Sequence, residues 1–283
     1  MGRVIRFFAK LKSLKLGVGF WLSVAWVALI VLVAIFANLL PLPNPDSALE
    51  APSNLGPSLH HLLGTDNIGR DELSRLIFGS RVSLVVGFGS ILLGVLLGGL
   101  TGILAGYYGK AVDFSLNSLA IIFLAFPQMI LILALITFEG RSLLVITVAI
   151  GIVGSPLIFR VVRSATQSVA SREYVAASKA LGASTSRVLL KEIFPNVAMT
   201  LSAFVFIAVG VAILAEAGLS FLGLSVPPPT PTWGDMVNVA SSELEQNSIL
   251  WIWPSLALLF TVLSINVVAD RLRMKFGIRE SFL

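Results

Sequence analysis

Few side chains in this 283-residue sequence are of the types that do chemistry, and they lie far apart. Asp66, Asp71 and Glu72, grouped around Gly69, put three carboxylates on one turn, and carboxylate oxygens are the ligands a hard cation takes. The same residues also fit a structural part, Asp66 capping a turn and Asp71 capping a helix that runs to Ser80. His60 and His61 are adjacent with no third ligand at metal spacing, so they read as a polar loop pair. The run Gly106-Tyr-Tyr-Gly109-Lys110-Ala111 imitates a phosphate loop, but its first glycine comes two residues too late and Ala111 replaces the required Ser or Thr. Two polar groups inside apolar runs remain, Gln128 and Glu216. Either could line a path for a solute; alternatively, Gln128 makes a hydrogen bond between helices and Glu216 caps a neighbouring helix end. Glu216 is expected near the outer end of its run, where hydration lowers the cost of its charge. There is no cysteine, no nucleophile beside a base and no closed ligand set, so catalysis by this chain is excluded.

Composition says where such isolated groups must sit. Hydrophobic residues make up 56% of the chain and charged residues 12%, half the charge of a soluble domain. That is the balance of an all-α polytopic membrane protein. The net charge of +5 does not imply nucleic acid, because the basic residues lie in short loops and tails without interleaved aromatics. Six apolar runs are long enough to cross a bilayer of about 30 Å: 18–40, 82–106, 116–137, 143–158, 197–222 and 250–268. The first follows a basic tail, 1–17, with Arg3, Arg6, Lys10, Lys12 and Lys15, but it is longer than a signal peptide core and lacks a small-x-small cleavage site, so it reads as a retained span. Most of the 20 Lys and Arg residues fall in the two tails, the turn after residue 106 and the 160–196 loop. The positive-inside rule then puts both termini and that loop in the cytoplasm, with 41–81 and 223–249 outside and a cytoplasmic tail at 271–283. Pro127 and Pro156 should kink the third and fourth spans. Gly94, Gly98, Gly102 and Gly106, continuing Ser90 at every fourth residue, leave one flank of the second span as bare backbone for close helix packing.

The 160–196 loop is the most patterned polar segment. Arg160, Arg163, Arg172, Lys179, Arg187 and Lys191 outnumber Glu173 and Glu192 there. The run predicts a helix through Tyr174, a turn at Gly182-Ala183-Ser184, and a second helix from Thr185 that stops at Pro195. Ala176, Ala177 and Ala180 leave the first helix one flank without bulk, open to close approach by another surface.

This loop resembles the EAA loop of permease subunits of binding-protein-dependent ABC importers, in which Glu-Ala-Ala is followed after three residues by Gly and later by a hydrophobic-x-Leu-Pro ending. Gly182 and Pro195 stand 13 apart as in that pattern, and Ala177 and Ser178 hold its small positions. Ala176, however, replaces the glutamate, Glu192 the first hydrophobic residue and Phe194 the leucine, while Glu173 lies three residues early. The segment from His61 to Leu84, Ala215 to Ser225 and Pro227 to Gly234 all resemble the C subunits of dipeptide and oligopeptide permeases, and the likeness covers about Trp21 to Asp270. The resemblance implies a type I ABC importer permease fold with a core at 82–270. It implies a coupling helix, with Glu173, Tyr174, Ala176, Ala177, Ser178, Lys179, Gly182 and Pro195, that docks in a groove of an ATPase subunit. It further implies two such ATPases carrying ATP and Mg, no cofactor on this chain, a second homologous permease as heterodimer partner, an extracytoplasmic substrate-binding protein, and the prokaryotic inner membrane. The substrates it implies are di- or oligopeptides, with nickel, haem or another small solute as the alternative. A different class, an ATP-independent channel or ion-coupled carrier, would be expected to carry several intramembrane acids, where this chain has one.

Overall fold

The computed structural model describes residues 17–49, 51–243 and 249–275. The basic tail with Arg3, Arg6, Lys10, Lys12 and Lys15, and also Glu245 and Arg279, lie outside the described residues. Helices α1 (Val18–Phe36), α2 (Glu72–Tyr108, continuous through a π-turn at Val95–Gly99), α3 (Lys110–Ala125), α4 (Gln128–Glu139) and α5 (Leu143–Ala170) make up the first part of the chain. They are followed by α6 (Glu173–Ala180), α7 (Phe194–Phe221), α8 (Trp233–Ser242) and α9 (Ile252–Lys275). Among the described residues there is no strand beyond one bridge between Thr65 and Asp71.

Proline governs three departures from the expected elements. At Pro127 the helix does not kink but breaks, and α3 and α4 meet at 90°. A residue before proline is driven out of the helical region, and Phe126 sits extended at φ −95°, ψ 144°. At Pro156 the helix does not break, and α5 continues to Ala170, well past the expected end at Ile158. The Ile152 carbonyl, which Pro156 cannot serve, accepts instead from Ser155 Oγ at 2.8 Å. At Pro195 the second helix of the loop does not stop. Thr185–Arg187 runs through a π-turn at Val188–Ile193 directly into α7, where the proline occupies the first turn. The second span also begins ten residues before the expected Val82, because Asp71 caps a helix that starts at Glu72 and accepts from Ser74 N at 2.8 Å.

The glycine stripe fixes the central contact. A Cβ on Gly98 would lie 2.3 Å from Ser155 O, one on Gly102 2.9 Å from Phe159 O, and one on Gly106 2.7 Å from Arg163 O. A Cβ on Gly94 would meet Ile158, and one on Gly151 would lie 2.7 Å from Ser90 O. Contacts on α2 and α5 therefore advance together, and the two helices run parallel. Helix α7 runs against them, with Gly87 of α2 meeting Val209 and Ile213, and Ser83 meeting Glu216.

This parallel packing decides the span count. Among the described residues five helices are long and apolar enough to cross a membrane by themselves, and the α3–α4 pair would be the sixth. Two parallel spans joined by one segment require that segment to cross back. The α3–α4 pair does so, from Asp113 bonded to Arg163 near the end of α5 to Gln128 and Ile132 bordering Ile150 nearer its start. Between the helices lies a core that includes Val86, Ile146, Ile150, Ile213 and Leu219. Helix α1 attaches outside it through α9, with Trp26 Nε1 donating to Thr261 Oγ1 at 3.1 Å.

Candidate functional site

Helix α6 joins α5 to the helical run that leads into α7, and Val175 is its one buried residue. Val175 is fully buried among Ile158, Val162, Val188, Ile193 and Val197, with Ile103 and Tyr107 of α2 packed on the same cluster. Glu173, Tyr174, Ala176, Ala177 and Lys179 are exposed and Ser178 partly so. Lys179 Nζ lies 4.5 Å from the Tyr107 ring centroid, which ties the end of α6 to the end of α2. Below it, Asp113 of α3 accepts from Arg163 of α5 through both its oxygens.

The end of α6 explains its glycine. Gly182 N donates to Lys179 O and Ala183 N to Ser178 O, the paired closing bonds of a left-handed helix stop, and Gly182 has φ +80°. A Cβ there would meet nothing within 4 Å, so the constraint inside the chain is purely conformational. Leu181 beside it is 89% exposed. The helix therefore presents a flat, small-residue flank and one prominent leucine on a base fixed to three spans.

Gln128, the first residue of α4, borders a cleft of about 220 Å³ between α4, α5 and α7 whose other walls include Ile91, Ile132, Gly154, Val211 and Ala215. Glu216 is not there. The hydrated outer position expected for it is replaced by complete burial against α2, where it accepts from Ser83 Oγ at 3.2 Å and Ser225 Oγ at 3.0 Å. These bonds tie the segment after α7 to α2. Glu216→Gln keeps an acceptor for one hydroxyl and offers an N–H donor to the other, whereas Glu216→Leu leaves both unpaired, at about 1–3 kcal/mol each. Thermal unfolding of the two variants in detergent should place Leu well below Gln. Equal midpoints would show that the hydroxyl contacts carry no stability.

The carboxylates of Asp66 and Asp71 near Gly69 are engaged by groups of the chain itself. Asp66 accepts from Ile68 N, Arg70 N and Arg70 Nε, the last at 2.6 Å, while Asp71 caps α2 and lies 2.9 Å from His61 Nδ1. His61 is thus tied to a helix cap rather than being merely a polar loop residue. Among the described residues no group of three possible ligands is placed to hold a metal ion. The organising residue at this end is one that the sequence did not single out, Arg75. Only 2% exposed, it donates to Pro45 O at 3.1 Å, Pro229 O at 3.3 Å and Asp235 Oδ2 at 3.5 Å, with Asp66 Oδ2 3.7 Å away. Burial pushes the Asp235 carboxyl above the usual range, with the Arg75 guanidinium pulling against it. Trp233, wholly buried, donates Nε1 to Leu76 O at 2.9 Å, and Gly234 lets α8 approach α7 so closely that a Cβ would lie 2.2 Å from Ala217 O. The one available signal for Arg75 was its place four residues after Asp71 on a helix otherwise heading into apolar sequence.

With this geometry in view, comparison with known proteins agrees at three levels. Residues 98–276 match the family described as binding-protein-dependent transport system inner membrane component. The dipeptide transport system permease protein DppC of Alkalihalophilus pseudofirmus is 35% identical over 94% of this chain and 86% of its own length. The di/tripeptide transport system permease protein DppC of Pseudomonas aeruginosa is 38% identical over 88% of this chain and 84% of its own. The glutathione transport system permease protein GsiD of Pectobacterium atrosepticum is 36% identical over 78% and 73%. In fold, the chain is similar to the inward-facing MetNI methionine ABC transporter, with a TM-score of 0.60 at 20% identity over 71% of this chain and 96% of that one. The parallel α2–α5 pair, the bent crossing between them and the projecting α6 are therefore features of an inner-membrane chain that belongs to the family of binding-protein-dependent transport system inner membrane components.

Proposed function

We propose that this chain is one of two permease halves of an ATP-driven importer of short peptides, and that α6 is where one of two ATPase subunits, loaded with ATP and Mg, acts on it. A homologous permease completes the pathway, and an extracytoplasmic binding protein delivers the substrate. The α6 end faces the cytoplasm, as the concentration of Lys and Arg in 160–196 favours, and the Arg75 end meets the binding protein. Peptides of two or three residues are the substrate class because the relatives' names share it.

The observation that carries this reading is the mounting of α6: one buried residue, Val175, in a cluster drawn from α2, α5 and the run into α7, with nearly everything else exposed. A force applied to the exposed flank of Glu173, Tyr174, Ala176, Ala177, Ser178 and Lys179 reaches three spans at once. Pro195, in the first turn of α7, lets the loop continue as one stiff element into the span. Closure of the ATPase dimer on ATP then tilts α5 and α7, and the cleft beside Gln128 changes its access.

Gly182→Leu tests the coupling. Within the chain it costs about 1–2 kcal/mol for a left-handed residue with a Cβ, but its side chain enters the space an ATPase groove needs. In the complex reconstituted in liposomes, stimulation of ATP hydrolysis by peptide-loaded binding protein and uptake of a labelled tripeptide should both fall at least roughly tenfold, a loss of about 1.4 kcal/mol of coupling, while membrane insertion stays normal. Unchanged stimulation would overturn the assignment of α6.

A further inference from the structure

A second cleft lies on the opposite side of α5 from Gln128. Its volume is about 220 Å³, and its walls include Leu97 and Thr101 of α2, Leu116 and Phe123 of α3, and Ile152 and Pro156 of α5. The lining is almost wholly apolar. The small residues Gly98 and Ala120 border it, and the chain turns away by 90° after Ala125. Leu116 to Phe123 spans about 10 Å by helical rise, which suits a stretch of acyl chain.

The chemistry at one mouth of this cleft is different. The apolar part of α5 runs without a charge from Leu143 to Phe159 and ends at Arg160. In α3 the charged residues Lys110 and Asp113 precede Leu116. The Asp113–Arg163 pair puts these two polar boundaries at the same depth, and Tyr107 and Tyr108 lie at the corresponding end of α2, as aromatic residues do at a membrane interface. Asp113 neutralises Arg163. Arg160 is exposed and, among the described residues, has no ion pair or hydrogen bond. It stands one turn beyond Pro156 on the cleft wall, about 6 Å along the helix.

We infer that this cleft is a binding site for an anionic phospholipid of the leaflet at the α6 end, one acyl chain lying between α2, α3 and α5 and the headgroup phosphate held by Arg160. Charge complementarity selects the occupant. An apolar slot alone would accept any chain, but an uncompensated guanidinium at interfacial depth prefers a headgroup with net negative charge. Because α5 separates the slot from the Gln128 cleft, the lipid is a bound structural partner rather than cargo. It fills the space that the small residues leave beside the α2–α5 contact.

The test uses the assembled complex in nanodiscs holding equal amounts of phosphatidylglycerol and phosphatidylethanolamine of the same chain length, with retained lipid read by native mass spectrometry. The wild type should keep phosphatidylglycerol preferentially. Arg160→Gln should reduce that preference roughly fivefold, Arg160→Lys should keep most of it, and Thr101→Phe, which fills the slot, should release lipid of both headgroups while the complex remains assembled. Equal retention of the two lipids by the wild type, or retention unaffected by either Arg160→Gln or Thr101→Phe, would overturn the site. So would a complex in which the second permease covers the slot and no lipid is held.

Discussion

Arg75→Ala is expected to destabilise the chain by about 3–5 kcal/mol, the usual loss when one member of a buried charge cluster is removed. The guanidinium bridges segments distant in sequence: the 41–71 loop through Pro45 O and Asp66, the segment after α7 through Pro229 O, and α8 through Asp235. Its removal orphans two carbonyls and leaves Asp66 with Arg70 alone and Asp235 without its cation. Arg75→Lys should recover little, because a single ammonium cannot present the planar fork that reaches Pro45, Pro229 and Asp235 together. Thermal unfolding followed by fluorescence and size-exclusion chromatography in mild detergent measures this. A midpoint for Arg75→Ala within one or two degrees of the wild type would show that this end of the bundle is held by something else, Trp233 being the next candidate.

Gly98→Ala should be nearly as damaging, and the neighbouring Gly99→Ala should be harmless. A Cβ on Gly98 would stand 2.3 Å from Ser155 O and 2.9 Å from Phe159 N, both backbone atoms that cannot rotate away. The α2 and α5 helices would have to separate, at the 1–3 kcal/mol or more typical of overpacking. A Cβ on Gly99 meets only Val95 Cγ1 at 3.8 Å, an ordinary contact, and alanine gains up to about 1 kcal/mol of helix propensity. Yield of folded full-length chain and its unfolding midpoint, compared between these adjacent substitutions, separate close packing from a general intolerance of mutation in the span. If Gly99→Ala proved the worse of the two, the parallel packing of α2 on α5 would be wrong.

Residues near one another in sequence were the legible ones. The stop at Gly182 follows from a helix ending in a residue without a Cβ, and the cap at Asp71 from a carboxylate three residues before the N–H it accepts. The four-residue glycine period announced a bare flank, although not which helix would cover it. The prolines were harder. Pro127, Pro156 and Pro195 look alike in a sequence, yet one breaks a helix, one lies inside a helix with Ser155 serving the freed carbonyl, and one sits in the first turn of a span behind a π-turn. What a proline does depends on which groups can take over its lost hydrogen bond and on where in a helix it falls. Glu216 misled for a related reason. Its depth along α7 suggested hydration, but depth along an axis leaves open which side faces water, and Ser83 and Ser225 come from elsewhere to bury it.

Composition and charge placement by themselves determined that the chain crosses a membrane through apolar helices and that its Lys and Arg residues collect in the tails and one long basic loop. These properties depend on transfer free energies and local propensity, which sum along the chain. Only the tertiary structure decided that the third apolar run is a pair of helices bent by 90°, that Val175 anchors α6 to three spans, and that Arg75 holds the other end together. The last two of these rest on groups brought together from distant parts of the chain, and such meetings depend on helix direction and rotation about the axis, which no local pattern specifies.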